Sequence, residues 1–139
     1  MTTVTISEEI KGKAVDVWAA LSDFGGIKVG GPIKSFETKG EGIGMLRMIG
    51  MGGGKVIERL DRHDAKAMVF AYAITNDDSP LPVKNYSAKV QITDKGDGTC
   101  NVNWSGTFAP RGASEAESSK VVEGIYRGGI ARARKAVGG

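Results

Sequence analysis

The chain has 139 residues, a formal charge of +3 and a single cysteine and histidine, which together favour one domain spanning residues 1–139, with roughly two-thirds of the unfolded surface available for a core. One cysteine excludes an internal disulfide, and a lone histidine excludes a histidine-rich metal centre and argues against a serine–histidine triad. No apolar run approaches the roughly 20 residues of a membrane helix, and Met1–Ile10 lacks the pattern of a signal peptide, so a cytoplasmic protein is expected.

Val4, Ile6, Glu8 and Ile10 alternate with Thr3, Thr5, Ser7 and Glu9, the period of a strand. Ala14, Val17, Trp18 and Leu21 follow at helical spacing, and Gly25-Gly26 ends that region. Gly30-Gly31-Pro32 forbids regular structure. Strands are then predicted over Ile33–Lys39, Met45–Met51 and Val56–Leu60, separated by Gly40–Gly44 and by Gly52-Gly53-Gly54. A turn over Asp61–Asp64, holding His63 in solvent, leads to a strand over Met68–Ile74. After a polar loop carrying Asn76, Asp77, Asp78, Ser79, Pro80 and Pro82, Tyr86, Ala88, Val90 and Ile92 alternate with Ser87, Lys89 and Gln91. Lys95-Gly96-Asp97-Gly98 signals a hairpin. Beyond it Cys100, Val102, Trp104, Gly106 and Phe108 share one face of the last strand, with Cys100 read as a buried hydrophobe.

Ser114-Glu115-Ala116-Glu117 is a capping box, and Val121, Val122, Ile125, Tyr126, Ala133 and Val137 form a helical stripe behind it. About 24 residues make a helix of roughly 36 Å, enough to cover one sheet face. Arg127, Arg132, Arg134 and Lys135 complement the helix dipole as a solvated end. They are not the broad basic face with stacking aromatics that nucleic acid would need. The order predicts an α+β fold: a curved seven-stranded antiparallel sheet around a long C-terminal helix, with a short helical region after strand 1.

Strand alternation places Arg47 with Met45 and Ile49, Glu58 with Val56 and Leu60, and Tyr86 with Ala88 and Val90. A charge on an apolar face is costly unless paired. One reading is a polar cluster inside a cavity, with Arg47 binding a carboxylate or carbonyl oxygen, Glu58 accepting a proton and Tyr86 donating to a ligand. The others are a structural salt bridge at the cavity wall and a register in which these residues face solvent. The glycine clusters match neither nucleotide-binding pattern; they are lips of a cavity mouth or plain turns. Gly129, on the buried stripe, either leaves room for a ligand or permits close helix–sheet packing.

Asp16-Val17-Trp18 with Leu21-Ser22-Asp23-Phe24, Gly44-Met45-Leu46-Arg47, Glu58-Arg59-Leu60, Asn85-Tyr86 and the Trp104–Phe108 strand form an ordered set over nearly the whole chain. This set resembles the START-like, or SRPBCC, superfamily and its polyketide cyclase/dehydrase-like branch, and is similar to plant abscisic-acid receptors and lachrymatory-factor synthase. The resemblance implies a helix-grip fold enclosing a hydrophobic cavity. It also implies that residues matching Glu58 and Tyr86 line that cavity and that Arg47 matches a functional arginine. Gly50–Gly54 stands where the receptors have a gate, and Leu81-Pro82 where they carry a histidine–arginine pair, so abscisic acid is not inferred.

The expected ligand contacts are Arg47, Glu58, Tyr86, Met51, Phe70, Tyr72, Trp104, Ile125, Tyr126 and Gly129, with no metal or cofactor. Two functions share these residues. One is a carrier or sensor for a small hydrophobic or amphipathic molecule. The other is a cofactor-independent cyclase, dehydratase or isomerase acting on a polyketide-like carbonyl compound, with Arg47, Glu58 and Tyr86 as catalytic residues. The oligomeric state is left open.

Overall fold

The alternating and helical segments become nine elements in a computed structural model that describes residues 1–139. They are β1 (Thr2–Ile10), α1 (Ala14–Ser22), β2 (Ser35–Lys39), β3 (Leu46–Met51), β4 (Gly54–Asp64), β5 (Val69–Ile74), β6 (Val83–Asp94), β7 (Cys100–Pro110) and α2 (Glu115–Val137). The strands form a single antiparallel sheet in the order β1-β7-β6-β5-β4-β3-β2. This is the helix-grip arrangement: one face carries the two helices, and α2 packs chiefly on β1, β7 and α1.

α2 starts where its capping box dictates. The Ser114 hydroxyl accepts from the Glu117 N–H, and the Glu117 carboxylate accepts from the Ser114 N–H. It ends at Gly138, whose left-handed φ of 73° lets its N–H reach the last-turn carbonyls. Ser118, Val122, Tyr126, Gly129, Ile130 and Ala133 recur every three or four residues and are buried against the sheet. No helix is long and apolar enough to cross a membrane.

The structure departs from strict alternation at two bulges, each of which shifts the pleat by one residue. The first lies between Leu60 and Arg62, so β4 continues through the predicted turn to Asp64. It brings His63 opposite Phe70 and onto the helix side, where its exposed ring lies 5.1 Å from that of Trp18. His63 is therefore an exposed strand residue beside α1, not a turn residue. The second bulge lies between Lys84 and Ser87. Asn85 takes the left-handed conformation there (φ 53°), and Val83 and Tyr86 are both buried as a result. Met68, with φ 54°, belongs to the β4–β5 turn, so the strand starts at Val69.

Two further readings change. Glu8 lies on the inward side of β1 because it accepts from Arg127 Nη1 (3.4 Å) and Arg134 Nη2 (3.1 Å). Those two arginines thus link α2 to β1 through partly exposed ion pairs, while Arg132 and Lys135 form the expected solvated end. The glycine segment is a tight hairpin: Met51 pairs with Gly54, and Gly52-Gly53 alone make the turn.

Candidate ligand site

Arg47 and Glu58 are directly opposite one another in the β3–β4 ladder. Because opposed residues share a face, both project to the helix side. Arg47 Nε donates to Glu58 Oε1 at 2.6 Å, and the residues are only 8% and 7% exposed. The sequence places each on an apolar face; the two-residue hairpin makes them partners.

The guanidinium has a second neighbour that the sequence reading did not include in the site. Phe24, just beyond α1, is buried, and its carbonyl accepts from Arg47 Nη1 at 3.3 Å. Its ring centroid lies 3.8 Å from the guanidinium carbon, and that of Tyr72 lies 5.3 Å away. Both are within cation–π range. The available signal was an aromatic residue isolated in a glycine-rich segment.

Next to this pair runs a chain of aromatic polar groups drawn from four elements. Trp104 Nε1 of β7 donates to the Tyr72 hydroxyl of β5 at 3.2 Å. The Tyr72 and Tyr86 hydroxyls are 3.4 Å apart, and those of Tyr86 and Tyr126 are 2.5 Å apart. Burial pushes the Tyr72 hydroxyl well above its ordinary pKa, and the Glu58 carboxylate pushes it further. Burial also raises Tyr86, helped by the Tyr72 and Tyr126 phenols, and raises Tyr126, helped by Tyr72 and opposed by the hydrogen bond with Tyr86. All three phenols are therefore neutral at ordinary pH and serve as hydrogen-bond donors, not as bases. No buried side-chain nitrogen or oxygen lacks a hydrogen-bond partner.

Two glycines make this packing possible. A Cβ at position 106 would lie 1.9 Å from the Tyr126 hydroxyl oxygen, so Gly106 gives that hydroxyl its space. A Cβ at position 129 would lie 2.5 Å from Trp104 Cζ3. Of the two sequence readings of Gly129, close packing is the one realised. The Trp104 and Tyr126 rings stack beside it, with centroids 5.0 Å apart.

The remaining expected contacts disperse around this centre. Phe70 is buried edge-on to Trp18 and stacks beside Tyr72. Met51 is half-buried at the β3–β4 turn, and Ile125 is half-buried against the core. Arg47, Glu58, Tyr72, Tyr86, Trp104 and Tyr126 thus come together, Ile125 packs on the same core, and Met51 stays at the hairpin, paired with Gly54. Two surface concavities are present. One, of about 290 Å³, lies away from this centre and is lined by Lys13, Ala14, Val15, Asp94, Gly96 and Gly98. The other, of about 320 Å³, is lined by the polar residues Asp61, Ser87, Lys89, Ser105 and Thr107 together with Ala71, Ala88 and Tyr72.

With this geometry in place, comparison with known proteins is decisive for the family. Residues 1–138 match the polyketide cyclase / dehydrase and lipid transport family. The chain belongs to that family. Among solved structures, this family member is similar to the protein XoxI from Bacillus cereus, at 31% identity, TM-score 0.84, and coverage of 99% of this chain and 96% of that one. It is equally similar to a Bacillus thuringiensis protein, at 31% identity, TM-score 0.83, and 98% coverage of both chains. Norcoclaurine synthase from Thalictrum flavum, solved with dopamine and hydroxybenzaldehyde, shares the fold at 17% identity and TM-score 0.72, over 96% of this chain and 83% of that one. No functionally curated protein matches the chain in sequence. The family match places this polyketide cyclase / dehydrase domain in the START-like, or SRPBCC, superfamily.

Proposed function

We propose that this protein binds a small hydrophobic or amphipathic organic molecule, as a carrier or sensor, on the helix side of its sheet. Arg47, Glu58 and the phenols of Tyr72 and Tyr86 would supply the polar contacts. The observation that carries this reading is the buried Arg47–Glu58 pair set beside a chain of phenols in an otherwise apolar interior. Stability alone gives little reason for such a pair, because well-packed apolar side chains of similar volume are often as stable or more so. A guanidinium has five N–H donors, and only Nε and Nη1 of Arg47 are engaged by Glu58 and Phe24. The remainder suit a carbonyl or carboxylate oxygen.

The alternative, cofactor-independent turnover of a carbonyl compound, draws on the same groups. Arg47 engages Oε1 of Glu58, which leaves Oε2 as the oxygen to accept a proton. The neutral phenols would polarise the carbonyl.

Titration with the apolar dye Nile red tests the binding reading. Saturable binding in the micromolar range is expected, and it should be lost when Tyr126→Trp fills the interior. Native mass spectrometry of freshly purified protein should show a co-purifying small molecule. Absence of any saturable site rejects the proposal.

A further inference from the structure

Phe24 is the only buried residue between Asp23 and Lys34. That stretch has no helix or strand; its internal backbone ties are a turn from Gly26 N–H to Asp23 O and a bridge between Gly30 and Ile33. Gly25, Gly26, Gly30 and Gly31 lie within it, and glycine has the largest backbone freedom of any residue. A loosely tied segment is thus pinned by one side chain, and that side chain rests on the guanidinium of Arg47.

Phe24 also packs beside Tyr72, with ring centroids 6.2 Å apart, but its two contacts with Arg47 are informative about what could replace them. Its ring presents a π face to the guanidinium carbon at 3.8 Å, and its carbonyl oxygen accepts from Arg47 Nη1 at 3.3 Å. A guanidinium is attracted to the face of an aromatic quadrupole, and a saturated ring offers no such face. Its N–H groups also bind oxygen acceptors in a fixed fork.

We propose that Phe24 is a built-in plug whose contacts are a template for the ligand, and that binding displaces it. The ligand class this assigns is a planar conjugated ring bearing a nearby carbonyl or carboxylate oxygen. It takes over the ring position above Arg47 and the acceptor position at Nη1. This rests on the proposed binding site around Arg47 and specifies its ligand. Because only plug-open molecules can bind, apparent affinity is reduced by the open fraction; if that fraction is about one tenth, removing the plug tightens binding about tenfold.

The test uses 2-naphthoate as the planar probe and decalin-2-carboxylate as its saturated counterpart, titrated calorimetrically into the full chain. Wild type should prefer naphthoate, and amide exchange between residues 24 and 34 should rise, not fall, when naphthoate binds. Phe24→Ala should tighten naphthoate binding several-fold. Phe24→Leu, which keeps apolar volume without a π face, gives the same direction of change should the alanine variant not fold. Exchange in the wild type reads displacement without any variant. Unchanged or weakened naphthoate binding in these variants, or unchanged exchange in wild type, overturns the plug. If Nile red still saturates an Arg47-dependent site in that case, only the plug and its ligand class fail. If neither probe nor dye saturates a site, the underlying binding proposal fails with them.

Discussion

Trp104 packs against the backbone of α2 at Gly129, so close that a Cβ on that residue would stand 2.5 Å from Cζ3 and 2.7 Å from Cη2 of the indole. The helix thereby reaches the sheet, and Trp104 can stack on Tyr126 and still donate to Tyr72.

The helix glycines should therefore respond in opposite directions to alanine. Gly129→Ala gains about 1 kcal/mol of helix propensity but must move a ring held by its stack on Tyr126 and its hydrogen bond to Tyr72, an overpacking cost of about 1–3 kcal/mol. Net destabilisation is expected. Gly124 has no atom near its would-be Cβ, and Gly128 meets only the end of the Arg132 side chain at 3.6 Å. Gly124→Ala and Gly128→Ala should each stabilise by up to about 1 kcal/mol. Urea midpoints at constant slope measure all three; a stabilised Gly129→Ala would show that the Trp104–helix contact yields.

The Arg47–Glu58 pair should behave as a buried ion pair. Glu58→Ala leaves a buried guanidinium without its carboxylate and should cost roughly 3–5 kcal/mol. Replacing both partners together, as Arg47→Met with Glu58→Leu, should recover much of that loss while abolishing ligand binding. Denaturant unfolding of the two single variants and the double variant checks this. A loss under about 0.5 kcal/mol for Glu58→Ala, typical of surface sites, would place the pair in solvent.

The phenols set the alkaline limit. The chain has three tyrosines, and all are buried in the hydrogen-bonded chain. Their folded-state pKa values are raised by burial above the value near 10 of an unfolded tyrosine. Below about pH 10 both states keep these protons and stability is insensitive to them. Above it the unfolded chain releases protons that the folded chain retains, so stability falls as pH rises. Absorbance at 295 nm should accordingly stay flat in the native protein and rise only together with loss of far-ultraviolet circular dichroism. A gradual tyrosinate signal near pH 10 with the dichroism intact would mean that the phenols are open to solvent.

Much of the fold was legible in local pattern. Period-two alternation marked β1, β6 and β7, and the capping box located the start of α2 to the residue. Such signals are carried by residues a few positions apart, because strand pleat and helix pitch repeat over that range. The apolar neighbours of Arg47, Glu58 and Tyr86 likewise pointed to an inward face, and the strand register and burial decided it against a solvent-facing one. The bulges at Leu60–Arg62 and Lys84–Ser87 were not legible, since a bulge exists only relative to the partner strand. His63 changed from a turn residue to a helix-facing one for that reason.

By itself, then, the sequence determined which residues are inward along the regular stretches of strand and helix, because burial selects side chains face by face along each element. The tertiary structure alone decided which inward residues meet. Glu8 finds Arg127 and Arg134 more than a hundred positions away, Phe24 comes to rest on Arg47, and Gly129 receives the Trp104 ring. Each of these contacts depends on how a helix or loop is set against a sheet whose twist and bulges are collective properties of all seven strands, and no local run of residues encodes that placement.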